Sequence, residues 1–176
     1  MAMKNRAWAH VLVAAGLVVV AASAAGAGED PVARPFWGSV KGEATFPFEG
    51  TGVCDAVAGW WAPILTTVGA AEGRVTHLGL VTYSSTHCPT YDGRAELGQA
   101  VFTAANGDEI WATYRADTVA PPPPVVVQEG EYTIFGGTGR FAQASGRVRL
   151  TAYVTWEGLE DPSWPIELVF SGTIVY

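Results

Sequence analysis

From residue 166 to its end the chain places Ile166, Leu168, Phe170, Gly172, Ile174 and Tyr176 on one parity. A period of two marks a strand with one face in a core, because successive side chains leave opposite faces of a pleated strand. The period recurs earlier. Val40, Gly42, Ala44, Phe46 and Phe48 alternate with Lys41, Glu43 and Thr45, and Pro47 marks an edge or bend. Further β-rich runs lie at 74–87, 95–105, 108–117, 125–135 and 147–156. Beyond residue 27 no stretch sustains the i, i+3, i+4, i+7 spacing of an amphipathic helix. Residues 56–72 are apolar but interrupted, and suit a short helix, a strand or a loop over a barrel mouth. About seven or eight strands at hairpin-like spacing predict an all-β domain, either a sandwich or a closed barrel. Closure would remove the edges that an aromatic-rich sheet otherwise exposes.

Two dipeptides set the local register. Asp92-Gly93 and Asn106-Gly107 are two-residue hairpin signals, and Asn-Gly suits the positive φ angles of a type I′ turn. That turn predicts Phe102 across from Trp111, Val101 across from Ala112 and Thr103 across from Ile110. Both faces of this hairpin carry apolar residues, so a loop or a neighbouring subunit is expected over the outer one. Ala120 followed by four prolines, 121–124, is a stiff exposed connection within one domain.

The first 27 residues have a different character. Lys4 and Arg6 precede a twelve-residue apolar run, 11–22, and Ala25-Gly26-Ala27 supplies a small-residue cleavage site. These are the three parts of a secretory signal peptide, and the run is short of the ~20 residues a spanning helix needs. The expected product is secreted, extracellular or periplasmic, cleaved near Ala27, with no stable membrane span after processing. A linker at 28–37 and a single barrel domain at 38–176 follow. Of 17 acidic and 10 basic residues, only Lys4 and Arg6 leave with the signal, so the net charge moves from −7 to −9. That balance disfavours nucleic acid as a partner. Cys54 and Cys88 lie in the exported part and predict a disulfide, which would stabilise the fold by about 3–4 kcal/mol in the chain-entropy model.

Chemistry is harder to read. Gly137-x-Gly139-x-x-Ala142 imitates a dinucleotide fingerprint, but a strand resumes at Arg147 where the fingerprint needs a helix. The glycines instead permit a tight strand-to-strand connection, with Phe141 plugging the barrel end. His77 and His87 are ten residues apart, about 33 Å along an extended strand, which is too far for shared metal coordination. His87, beside Cys88, is expected in a loop. Arg147 and Arg149 are expected to pair with the acid excess. The tryptophans could line a pocket, but filling a core is the commoner fate. No nucleophile elbow, zinc-binding helix motif or P-loop occurs, so no catalytic residue, metal or cofactor is assigned.

The runs NGDEIWATY, GEYTIFGGTGRFAQASG and FSGTIVY, with HLG at 77–79, resemble small secreted bacterial β-barrel proteins related in architecture to allene oxide cyclase and the dirigent proteins. The resemblance spans roughly 38–176 and implies an eight-stranded antiparallel barrel, often dimeric or trimeric. It also implies a small apolar ligand in the lumen, either simply bound or guided through cyclisation without a cofactor. The candidate ligand-binding residues are His77 and Tyr83, on one parity of the 74–87 run, with Tyr114 and Trp111 from the hairpin after it. A barrel that binds a small apolar molecule in its lumen or acts as a non-catalytic extracellular module is the first expectation, a cofactor-free cyclase or isomerase of allene oxide cyclase or dirigent type the second, and a structural or surface-interaction protein with a packed lumen the third.

Overall fold

The computed structural model describes residues 32–46, 53–58, 65–121, 124–158 and 160–176. The signal segment, Phe48, Trp60 and Trp61 lie outside the described residues, as does the centre of the proline run. The elements are β1 (Arg34–Thr45), a single helical turn α1 (Asp55–Ala58), β2 (Thr66–Val75), β3 (Gly79–Pro89), β4 (Arg94–Ala104), β5 (Glu109–Ala120), β6 (Val125–Gly137), β7 (Ser145–Thr155) and β8 (Ser163–Val175). Each strand pairs antiparallel with the next, and β8 returns to β1 from Arg34↔Ile174 to Thr45↔Ser163. The result is a closed eight-stranded barrel, in which every strand has a neighbour on both sides. β1 takes in Arg34–Trp37, which the sequence pattern leaves in the linker.

The parity of β8 holds along its length. Ile166, Leu168, Phe170 and Ile174 are buried, paired in the ladder with Val154, Ala152, Leu150 and Gly146 of β7. The hairpin at Asn106-Gly107 forms, but with a different turn. Ala104 and Asp108 close a three-residue loop, Gly107 N–H donates to the Ala104 carbonyl, and positive φ is found at Gly107 (86°) and not at Asn106. Three-residue loops with a final left-handed residue are the second common way to close a hairpin. The register therefore moves by one, pairing Phe102 with Ile110, Val101 with Trp111 and Thr103 with Glu109. Burial decides between the two. The observed register turns Ile110, Ala112, Tyr114 and Ala116 inward, whereas the predicted one would put Glu109 and Arg115 in the core. Asp92-Gly93 closes β3 to β4 the same way, with Thr90 N–H donating to the Arg94 carbonyl and Gly93 at φ 83°.

The run at 74–87 is two strands, not one. Thr76, His77 and Leu78 make the turn between β2 and β3, with His77 at φ 67° and Gly79 at φ 74°. The cause is local: the left-handed region is costly for most side chains, but His tolerates it several-fold better than average and Gly adopts it freely.

Aromatic rings fill the middle of the lumen. Phe102 is the hub, with ring centroids 5.0 Å from Tyr83, 5.1 Å from Phe170, 5.7 Å from Tyr132 and 5.8 Å from Phe36. At the end that carries the β2–β3, β4–β5 and β6–β7 connections, the short 3-10 turn Gly139–Phe141 drops a fully buried Phe141 onto Tyr176, centroids 4.8 Å apart. Phe141 is thus the plug that the Gly-rich segment predicts. None of the described tryptophans is fully buried, and only Trp164 packs against the edge of the core. Trp37 is 62% exposed, Trp111 lies on the outer wall, and Trp156 and Trp164 stack at the other rim, 4.6 Å apart. A barrel this narrow takes single rings inside, and the indoles are left to the periphery.

Candidate functional site

The larger hollows among the described residues are shallow depressions on the outer wall, such as the one between Leu97, Thr113, Arg115 and Glu131. The more enclosed one is smaller and lies at the mouth opposite the Phe141 plug. There the ends of β1, β3 and β7 meet the starts of β2, β6 and β8 around a cavity of about 150 Å3. Its walls are apolar: Ala44 and Phe46, Val126, Val154, and Trp164 with Ile166. Phe46 and Trp164 form one side, ring centroids 4.4 Å apart, and Trp164 is fixed by donating from Nε1 to the Gly158 carbonyl at 3.0 Å. Thr66, Gln128 and His87 supply the polar atoms, and no described lining residue carries a formal charge at neutral pH.

His87 is the titratable group of this cavity. It belongs to β3, which runs to Pro89, and not to the loop that its place beside Cys88 suggests. It follows Tyr83 and Ser85 on the inward parity and pairs with Thr66 across the ladder. The imidazole Nδ1 lies 2.8 Å from Tyr114 Oη. Burial among apolar side chains, with no acid to offset it, pulls the imidazole down to about 4. At neutral pH it is therefore an uncharged hydrogen-bonding group.

Behind His87 a polar chain descends into the barrel. Tyr114 Oη lies 3.5 Å from Ser85 Oγ, and Tyr83 and Tyr132 share a hydrogen bond of 2.6 Å deeper in. Burial pushes the Tyr83 phenol up to about 12, against the pull of its hydrogen bonds to Ser85 and Tyr132. It also pushes Tyr114 and Tyr132 well above the ordinary phenol range, helped by the neighbouring phenols. All three phenols stay protonated at physiological pH. One glycine makes room for this chain: a Cβ at Gly98 would sit 2.5 Å from the Tyr114 ring, and Leu97 beside it takes φ 54° in a bulge that lets β4 pass.

The structure brings two of the sequence-derived candidates together and leaves two elsewhere. Tyr83 and Tyr114 are in the lumen, linked through Ser85. His77 is at the opposite end, where Nε2 donates to the Pro35 carbonyl at 2.8 Å and the ring meets Tyr176. Trp111 is on the outer wall because the register moved by one; its Nε1 donates to Glu109 Oε2 at 2.8 Å and its ring leans toward Phe135. Trp164, one of the tryptophans that could line a pocket, does line this one, whereas the sequence reading missed Phe46, Thr66 and Gln128, whose meeting depends on the barrel's closure. The one usable signal was that His87 shares parity with Tyr83.

The disulfide forms as expected. Cys54, ahead of α1, joins Cys88 beside His87 with Cα atoms 5.4 Å apart, both residues buried. Arg147 pairs with Glu131 at 2.7 Å on the outer wall, and Arg94 and Arg115 both hold Glu96. Such pairs add little stability.

The chain matches no protein-family model and no curated protein. Any functional reading therefore rests on the barrel and its mouth. Among the described residues no helix is long and apolar enough to cross a membrane.

Proposed function

We propose that this chain is an exported barrel of the allene oxide cyclase and dirigent kind that binds a small apolar molecule at the His87 mouth and performs no chemistry on it. The observation that carries this reading is the mouth cavity itself, apolar on its walls and fitted with a few neutral polar atoms. That is the composition by which pockets bind by burial and orient by hydrogen bonding. The aromatic cluster supports the choice of mouth over mid-lumen, because six interlocked rings leave the centre to side chains. The test is a titration of the folded protein with a panel of apolar molecules, followed by Trp fluorescence and thermal shift. Saturable binding that is lost in Ala44→Leu, which fills the cavity, is the expected result. Failure of the whole panel, or binding indifferent to Ala44→Leu, would refute the proposal and favour a structural barrel.

One observation favours a second reading, a cofactor-free cyclase or isomerase. The His87–Tyr114 pair offers an uncharged donor and acceptor beside a dry wall, suited to polarising a bound substrate. Recovery of ligand unchanged by mass spectrometry after prolonged incubation separates binding from conversion.

A further inference from the structure

We infer that the mouth cavity is shaped for one uncharged six-membered ring bearing a single hydrogen-bonding substituent directed at His87, and that it turns away carboxylates and ammonium ions. This rests on the ligand-binding reading above and narrows it to a chemical class.

Size comes first. The cavity measures about 150 Å3. An apolar cavity of about this volume holds a benzene-sized molecule, whereas pockets for drug-sized ligands run from about 300 Å3 upward. A longer ligand could insert only a ring-sized end. Shape follows from the wall. Phe46 and Trp164, inclined at 52° to each other, present aromatic faces and edges, and a ring meets these more favourably than a flexible chain does.

Charge is the sharper criterion. The described lining offers no counterion for an anion or a cation. On the neighbouring strand β4 the carboxylate opposite Cys88, Glu96, is already engaged by Arg94 at 3.5 Å and by Arg115 at 3.0 Å. Burying an unpaired charge costs far more than an apolar ring returns. What the cavity does offer is the neutral imidazole. Its Nδ1 is committed to Tyr114, which leaves Nε2 as the nitrogen to meet a ligand hydroxyl or amide. His87 is thus the specificity-determining residue, and the polar chain behind it is what fixes the ring.

The test compares near-isosteric probes by titration calorimetry on the folded, disulfide-bonded chain at neutral pH: toluene, benzyl alcohol, benzoate and benzylamine, with dodecanol as a long apolar control. Benzyl alcohol should bind about fivefold more tightly than toluene, the value of one net hydrogen bond, and the two ions should not saturate. In His87→Phe, which keeps the ring and removes its nitrogens, toluene should still bind and the preference for the alcohol should vanish. A second readout needs no variant: the His87 imidazole nitrogen resonances should move on adding benzyl alcohol and stay in place with toluene. Equal or tighter binding of benzoate or benzylamine would overturn the inference, as would an alcohol preference that survives in His87→Phe. If dodecanol binds at the mouth and no single-ring probe does, this inference falls while ligand binding stands. If nothing binds, both fall.

Discussion

Acidification should loosen this barrel well before its carboxylates titrate, and His87 is the reason. The imidazole sits at the apolar mouth with its folded value drawn down to about 4, while an unfolded chain restores it to about 6.5. The sign is fixed by that direction. Between the two values the unfolded state binds a proton that the folded state refuses, so the stabilisation is complete above about pH 6.5 and is lost as pH falls toward 4. At 1.36 kcal/mol per pH unit, the loss between pH 7.5 and pH 4.5 comes to about 2–3 kcal/mol. That is a large share of the 5–15 kcal/mol typical of a domain, and should lower the urea midpoint by about 1–2 M. Asp92 adds nothing in this window, because its carboxyl, held low by hydrogen bonds to Thr90 and Arg94, loses its stabilisation only below the ordinary carboxylate range. Urea melts at several pH values on the native chain and on His87→Gln provide the assay. The slope from pH 7.5 to 4.5 should be steep in the first and nearly flat in the second. Equal slopes in the two proteins would refute the reasoning.

Other consequences can be measured on the same protein. Tyr83→Phe and Tyr132→Phe should each cost about 1–3 kcal/mol in urea melts by breaking a buried 2.6 Å hydrogen bond, and the double variant should cost less than their sum. Additive losses would mean the hydroxyls act independently. Gly98→Ala should destabilise by about 1–3 kcal/mol, because its Cβ meets the Tyr114 ring at 2.5 Å; no change in midpoint would show that the ring can move aside. N-terminal sequencing of the exported protein should begin near Gly28, and an intact Met1 in the exported product would contradict the signal-peptide reading.

What the sequence revealed follows from the range of the interactions involved. Strand β8 was legible because its parity is unbroken and needs no partner to interpret. Parity fails where a bulge intervenes. β2 turns Thr66 and Val68 inward, then switches at Ala70 (φ 49°) so that Ala71 and Val75 face the core. β4 does the same between Ala95 and Ala100; a glycine stands at each switch, Gly69 and Gly98, and a strand glycine hints at a bulge without giving its register. The hairpin at Asn106-Gly107 was legible as a turn but not in length, since Asn-Gly serves two-residue and three-residue loops alike. Only the demand that Glu109 and Arg115 stay outside selects the register. The mouth cavity was the least legible feature. Phe46, Thr66, His87, Gln128, Val154 and Trp164 are scattered over more than a hundred residues and meet only because the barrel closes.

Whether the mouth is the binding site is tested most directly by intermolecular NOEs in the complex with benzyl alcohol. They should run from the ligand ring protons to the methyl groups of Val126, Val154 and Ile166 and to the Trp164 indole, all of which line the cavity. NOEs confined to outer-wall groups such as Val101, Leu80 or Phe135 would contradict the account.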